Sequence, residues 1–236
     1  MSVNNLISDL KSVSQPERIK DYQRFFKTGK GDYGEGDIFI GVTVPKSRIV
    51  AKKYKDLTLT EISKLLRSKI HEVRLIALII LVNTYNKSSD KERAKIFNFY
   101  LANTKYINNW DLVDLSAHKI VGEFLWRNPK KRHKLNELAK SGSLWERRIA
   151  VISTFYFINN NSYEEPLYIA EILLSDSHDL IHKAVGWMLR EVGKRDQKLE
   201  EGFLKKHYRQ MPRTCLRYAI EKFPENLRKK YLQGKI

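Results

Sequence analysis

Cysteine is almost missing from this 236-residue chain: Cys215 stands alone, so no internal disulfide can form. That suits a reducing cytoplasm, and a lone cysteine reads as a small buried apolar side chain. Long hydrophobic runs are missing too. The longest, Leu75 to Val82, falls far short of the roughly 20 residues a membrane-spanning helix needs. Met1 to Asn5 shows no basic segment followed by an apolar block, so no secretory signal is expected. Strand signals are nearly absent; the best, Ile38 to Val44 ended by Pro45, reads as an extended connector. With no cysteine cluster, histidines read as scattered singly and no Walker A sequence, neither a metal site nor a nucleotide cofactor is expected. Acidic residues are also scarce. Against 27 Asp and Glu stand 44 Lys and Arg, a net charge of +17 that predicts attraction to a polyanion.

What is present points to helices. Hydrophobic residues make up 42% of the chain, enough for a core. Helix starts are predicted at three capping boxes, Thr58 with Glu61, Ser89 with Glu92 and Ser143 with Glu146. Pro16, Pro166, Pro212 and Pro224 sit where helices are expected to begin. Within the apolar helical stretches a small residue recurs at Ala77, Ala117, Ala150, Ala184 and Ala219, at spacings of 40, 33, 34 and 35. A period of about 33–47 residues carrying two helices is the signature of an α-solenoid, because one helix pair cannot bury its own apolar face and stacked neighbours can. The expectation is therefore an all-α chain, a solenoid of HEAT-like helical repeats with a concave basic groove. It should form a single domain over 1–236 with roughly six helix pairs. A plain helical bundle is the alternative. Two dense basic segments, Arg127 to Arg148 and Phe203 to the end, suit a surface that tracks phosphates.

The candidate chemistry gathers at three stretches. Gly29, Gly31 and Gly34 match the dinucleotide-binding spacing, but a helical segment precedes them and Asp32, Glu35 and Asp37 would repel a pyrophosphate, so a turn is the better reading. Trp110 and Asp114 lie four residues apart and share one helix face. A tryptophan on an amphipathic helix is usually core, and Trp126 and Trp145 are read that way. Asp114 and Arg148, each taken alone, could be partners for neighbouring repeats. Their conjunction with Trp110 and Trp187 in a basic repeat array suggests four side chains converging on one surface that faces DNA.

At these residues the sequence resembles the AlkD-type DNA alkylation repair proteins, DNA glycosylases built from HEAT-like repeats. The resemblance runs from Phe25-Phe26-Lys27 and Phe39-Ile40-Gly41-Val42-x-Val44-Pro45 through Trp110-Asp111-x-Val113-Asp114 and Trp145-x-x-Arg148 to the segment from Lys183 to Glu191. It implies excision of N-alkylated purines, typically 3-methyladenine and 7-methylguanine, by hydrolysis of the N-glycosidic bond. Asp114 then matches the catalytic carboxylate and Arg148 the DNA-contacting arginine. Trp110 and Trp187 match the aromatics flanking the lesion. Arg147, Lys183 and Arg190 join Arg148 as expected DNA contacts, and Phe25 falls where a tyrosine can stand in that family. The chemistry is physically reasonable. An alkylated purine is already cationic and needs no general acid to leave, while a carboxylate can stabilise the sugar's developing positive charge and position water. The expected partner is alkylated double-stranded DNA, engaged by a cytoplasmic monomer with no membrane and no obligate protein partner. A non-catalytic HEAT-repeat scaffold for nucleic acid or protein is the competing class, since fold does not fix chemistry.

Overall fold

Small residues let helices approach closely, and the recurring alanines of this chain are all buried within helices. In the computed structural model, which describes residues 2–236, Ala77, Ala117, Ala150, Ala184 and Ala219 are all at most 1% exposed. Met1, the first residue of the stretch inspected for a secretory signal, lies outside the described residues.

The helices are α1 (Val3–Ser12), α2 (Ile19–Phe25), α3 (Val44–Lys53), α4 (Leu59–Leu66), α5 (His71–Lys87), α6 (Asp90–Ala102) and α7 (Trp110–Ala117). A π-helical turn, His118–Gly122, leads into α8 (Glu123–Arg127) and α9 (His133–Ala139). There follow α10 (Leu144–Asn159), α11 (Glu164–Ile172), α12 (Asp179–Gly193), α13 (Gln197–His207), α14 (Arg213–Ala219) and α15 (Glu225–Gln233). Among the described residues there is no strand, only an isolated bridge between Ile38 and Ile70, and no helix is long and apolar enough to cross a membrane. The expected all-α helical-repeat fold is what the chain adopts.

Two compact units divide the chain, the first ending at Ser116 and the second beginning at Ala117. In the first, α5 is the central element and packs against α3, α4 and α6. Every residue from His71 to Val82 is buried, so this stretch of the helix is enclosed all round, with its charged residues confined to the first turn. Each fully buried Leu, Ile or Val contributes about 1.5–3 kcal/mol, which makes the run Leu75 to Val82 the main hydrophobic contribution in this unit. In the second unit α10, α12 and α14 pack in series, and α9, α11 and α13 pack against them in the order of the chain. That alternation is the recurrence seen in the sequence.

Local signals hold with one exception. Thr58 and Glu61 form the first capping box, and the Ser89 N–H donates to the Glu92 carboxylate as the second requires. The third is replaced. Ser143 begins α10 without a side-chain cap bond; its N–H donates to the Ser141 hydroxyl, which donates in turn to Glu146. A serine two residues upstream offers Glu146 a competing donor. Pro16, Pro166, Pro212 and Pro224 all sit at or within the first turn of a helix. Residues 27–36 are turns, with Gly31 and Gly36 at positive φ, and Ile38 to Thr43 is an extended connector. Helix α3 starts at Val44, with Pro45 inside its first turn.

Close approach between α12 and α14 depends on Gly186. A Cβ there would lie 2.4 Å from the Cys215 carbonyl oxygen and 2.6 Å from the Tyr218 Cβ. Gly186→Ala is expected to destabilise the protein by about 1–3 kcal/mol through overpacking, read as a lower urea midpoint with unchanged m-value.

Candidate active site

The start of α7 carries Trp110 and Asp114, the pair singled out from the sequence. Leu112, Val113 and Ser116 face the core, while Trp110 and Asp114 are both partly exposed, one turn apart on the same side. Asn109, fully buried, steadies the start of the helix. Its side-chain oxygen accepts from the Trp110 N–H at 2.8 Å, and its amide donates to Asp37 at 3.4 Å. Behind Asp114, the buried Tyr100 hydroxyl pairs with Ser116 Oγ at 2.8 Å, and Ser116 donates to the Leu112 carbonyl. Burial first, and also the Asp114 charge, raise the Tyr100 pKa, so this phenol stays protonated.

Trp110 belongs to an aromatic stack that sequence reasoning did not assemble. Its indole lies on Phe26 with centroids 5.3 Å apart and planes 19° apart, and Phe26 stacks on Phe39 at 5.0 Å. Phe25, 62% exposed, meets the indole edge-on at 5.5 Å. Phe25 thus stands beside Trp110 as aromatic surface.

Under the stack lies a buried charge cluster. His71 Nδ1 is 3.0 Å from Asp37, and Nε2 is 2.8 Å from Asp111. Arg74 donates to the other oxygen of Asp37 at 2.6 Å and to the Ser68 carbonyl at 3.0 Å. Burial alone would lower the His71 pKa, but the Asp111 charge and the bonds to Asp111 and Asp37 outweigh it and push it up to about 9. The same contacts hold Asp37 below the usual carboxylate range despite its burial. Next to His71, the buried Glu72 carboxylate accepts from the backbone N–H groups of Ile40, Gly41 and Val42, at 2.8 Å for Gly41. Gly41 has φ 78°, and a Cβ there would lie 2.0 Å from the Gln15 carbonyl oxygen. A signal for this cluster was present: on a helix buried all round, polar residues must be buried as well, and buried polar residues require partners.

In the second unit, Arg148 on α10 is buried and donates to the Leu180 carbonyl at 2.6 Å. Trp187, partly exposed on α12, donates from Nε1 to Glu191 at 3.2 Å and lies 6.0 Å from the Phe155 ring, which in turn meets His118 edge-on. Arg147 pairs with the buried carboxylate of Asp176, Lys183 with Asp179 at 2.6 Å, and Arg190 with Glu221. Each of the four cations expected to meet DNA is thus engaged within the protein.

The histidines are not all single, which corrects the sequence reading: His178 and His182 are four residues apart. His178 caps α12 by accepting from the Leu180 N–H, and His182 Nε2 meets the Asp176 carbonyl. Among the described residues no group of three or more His, Cys, Asp or Glu side chains could hold a metal ion. Cys215 is buried, as expected, and burial pushes its thiol up to about 12.

Comparisons with known proteins bear on these observations. The chain matches the family described as DNA alkylation repair enzyme over residues 6–223. A search of curated proteins found no match. A solved structure, a predicted DNA alkylation repair enzyme from Enterococcus faecalis, is similar with a TM-score of 0.71 at 16% identity, covering 90% of this chain and 97% of its own. A second, smu.31 from Streptococcus mutans UA159, gives a TM-score of 0.55 at 19% identity, covering 89% and 99%. The chain therefore belongs to the DNA alkylation repair enzyme family, and its role lies in the repair of alkylated DNA.

The Arg147–Asp176 pair has a measurable consequence. Asp176 is 4% exposed at its side chain, so Arg147→Ala would leave a buried carboxylate without its ion pair. The expected loss is about 2 kcal/mol or more of folding stability, in DNA-free protein, measured by chemical denaturation.

Proposed function

We propose that the protein is a DNA glycosylase that releases N-alkylated purines, 3-methyladenine or 7-methylguanine, from double-stranded DNA. Water adds at the sugar's anomeric carbon and the base departs with the electrons of the N-glycosidic bond. The observation that carries this reading is the pairing of Asp114 with Trp110 on one partly exposed face of α7, beside Phe25 and Phe26. Family membership supports it, and the charge balance suits it. Asp114 would stabilise the oxocarbenium-like transition state and orient the attacking water. Trp110 and Trp187 would offer ring faces to a cationic base or sugar, each contact worth on the order of 0.5–2 kcal/mol.

Arg148, with Arg147, Lys183 and Arg190, is proposed to contact the DNA backbone. For Lys183 and Arg190, whose partner carboxylates are exposed, this means exchanging a carboxylate for a phosphate, which makes binding salt-sensitive. The chain is proposed to act as one HEAT-like repeat domain over 1–236, as a cytoplasmic monomer without metal or nucleotide cofactor.

Base release from methylated duplex DNA, followed by chromatography with EDTA present, tests the proposal. The wild type should release alkylated purine. Asp114→Asn should keep DNA binding and lose about 30- to 1000-fold in rate, because an amide cannot stabilise positive charge and two to four kcal/mol of transition-state stabilisation would go. Arg148→Ala should weaken DNA binding and flatten its salt dependence. A wild-type protein that binds DNA and releases nothing would be a non-catalytic binding module. Equal release by wild type and Asp114→Asn would remove Asp114 from the centre.

A further inference from the structure

We propose that His71 is a positioning residue: it clamps the first turn of α7 to the connector and so sets Trp110 and Asp114 in place. The proposal rests on the glycosylase reading for its effect on rate, and on geometry alone for the clamp.

The His71 ring is bonded at both nitrogens, to Asp37 ahead of the connector and to Asp111 on α7, at 3.0 and 2.8 Å. Only the doubly protonated imidazolium can donate to both carboxylates. The charged groups facing it are those two aspartates and Arg74 of its own helix. The four groups carry two negative and two positive charges, so the buried cluster is neutral only while His71 is charged. Asp111 follows Trp110 directly, and Asn109, which accepts from the Trp110 N–H, donates to the same Asp37. The first turn of α7 is therefore gripped through two side chains that meet at one cluster. The ring faces are covered as well. Phe39 stacks on His71 at 4.6 Å, and Phe26 lies 5.0 Å from it and stacks in turn on Trp110. A cation beneath aromatic faces is held by attraction to them as well as by hydrogen bonds.

Loss of the proton breaks the clamp in a defined way. A neutral ring donates once, so one carboxylate is left facing a lone pair in a buried site. Since His71 titrates at about 9 when folded and near 6.5 when unfolded, its stabilisation is fully present below the lower value and disappears as pH rises through the upper one.

The test follows tryptophan emission of the full chain from pH 7 to 10, with Trp110→Phe run in parallel to assign the signal, alongside the pH profile of base release. A Trp110-dependent transition with a midpoint near 9 is expected, together with a fall in kcat at nearly constant KM. His71→Gln, whose amide cannot donate from both ends, should abolish the transition and reduce kcat on the order of 10-fold at pH 7. Asp111→Asn should move the midpoint down by about one pH unit or more, and it carries the test if His71→Gln does not fold. Emission that is flat across the range, or a transition that persists unchanged in His71→Gln, overturns the clamp. A normal transition in a protein that releases no base keeps the clamp and overturns the reaction centre it was proposed to serve.

Discussion

A buried cation between two carboxylates is the constraint on which the candidate site depends. Taking His71, Arg74, Asp37 and Asp111 out of water is costly, and hydrogen bonds within the cluster offset that cost. The arrangement makes its principal bonds by drawing its members from three places, the turn before the connector, the start of α5 and the first turn of α7, and leaves Arg74 Nε and one Asp111 oxygen without a hydrogen-bond partner. It therefore fixes the relation among segments that are distant in sequence. Apolar packing could have buried the same surfaces, but it would tolerate small slides of α7 that a network of directed bonds does not. Trp110 and Asp114 inherit that precision from residues that themselves face away from solvent.

The fold was largely legible because its recurring feature is compositional. A small buried side chain recurs in the helices at Ala77, Ala117, Ala150, Ala184 and Ala219, and such a recurrence can be read from the sequence. The Trp110 and Asp114 pair was legible for a similar reason, since four-residue spacing on a helix is a geometric statement. What could not be read was whatever depends on a partner far along the chain. Asp37 is 34 residues from His71, Asp176 is 29 from Arg147, and Glu221 is 31 from Arg190. Periodicity carries no information on such pairs. The Ser143 box failed on a smaller scale, because Ser141 competes for the same carboxylate.

The charge distribution is also more ordered than its total suggests. A net charge of +17 describes attraction to polyanions in general. The cations nearest Trp187 are different in kind, because Lys183 and Arg190 hold carboxylates on their own or a neighbouring element. Such pairs keep long side chains oriented, which on the proposed DNA-contact reading would lower the entropy lost when a phosphate replaced the carboxylate. The exposed lysines at residues 205, 206 and 230 are suited chiefly to long-range steering.

Glu72 gives the connector an unusual character. Three consecutive backbone N–H groups, those of Ile40, Gly41 and Val42, turn toward one point, and the carboxylate of Glu72 occupies it. Such a run of amides is an anion-binding concavity of the kind that cradles phosphates in other folds. Here the anion is part of the chain, so the cradle is already filled when the protein folds. The aromatic residue next to it, Phe39, is consequently held without help from any ion in solution, and phosphate or salt in the medium has nothing to displace there. A self-plugged anion hole of this kind presents no vacant amide cradle to an outside phosphate.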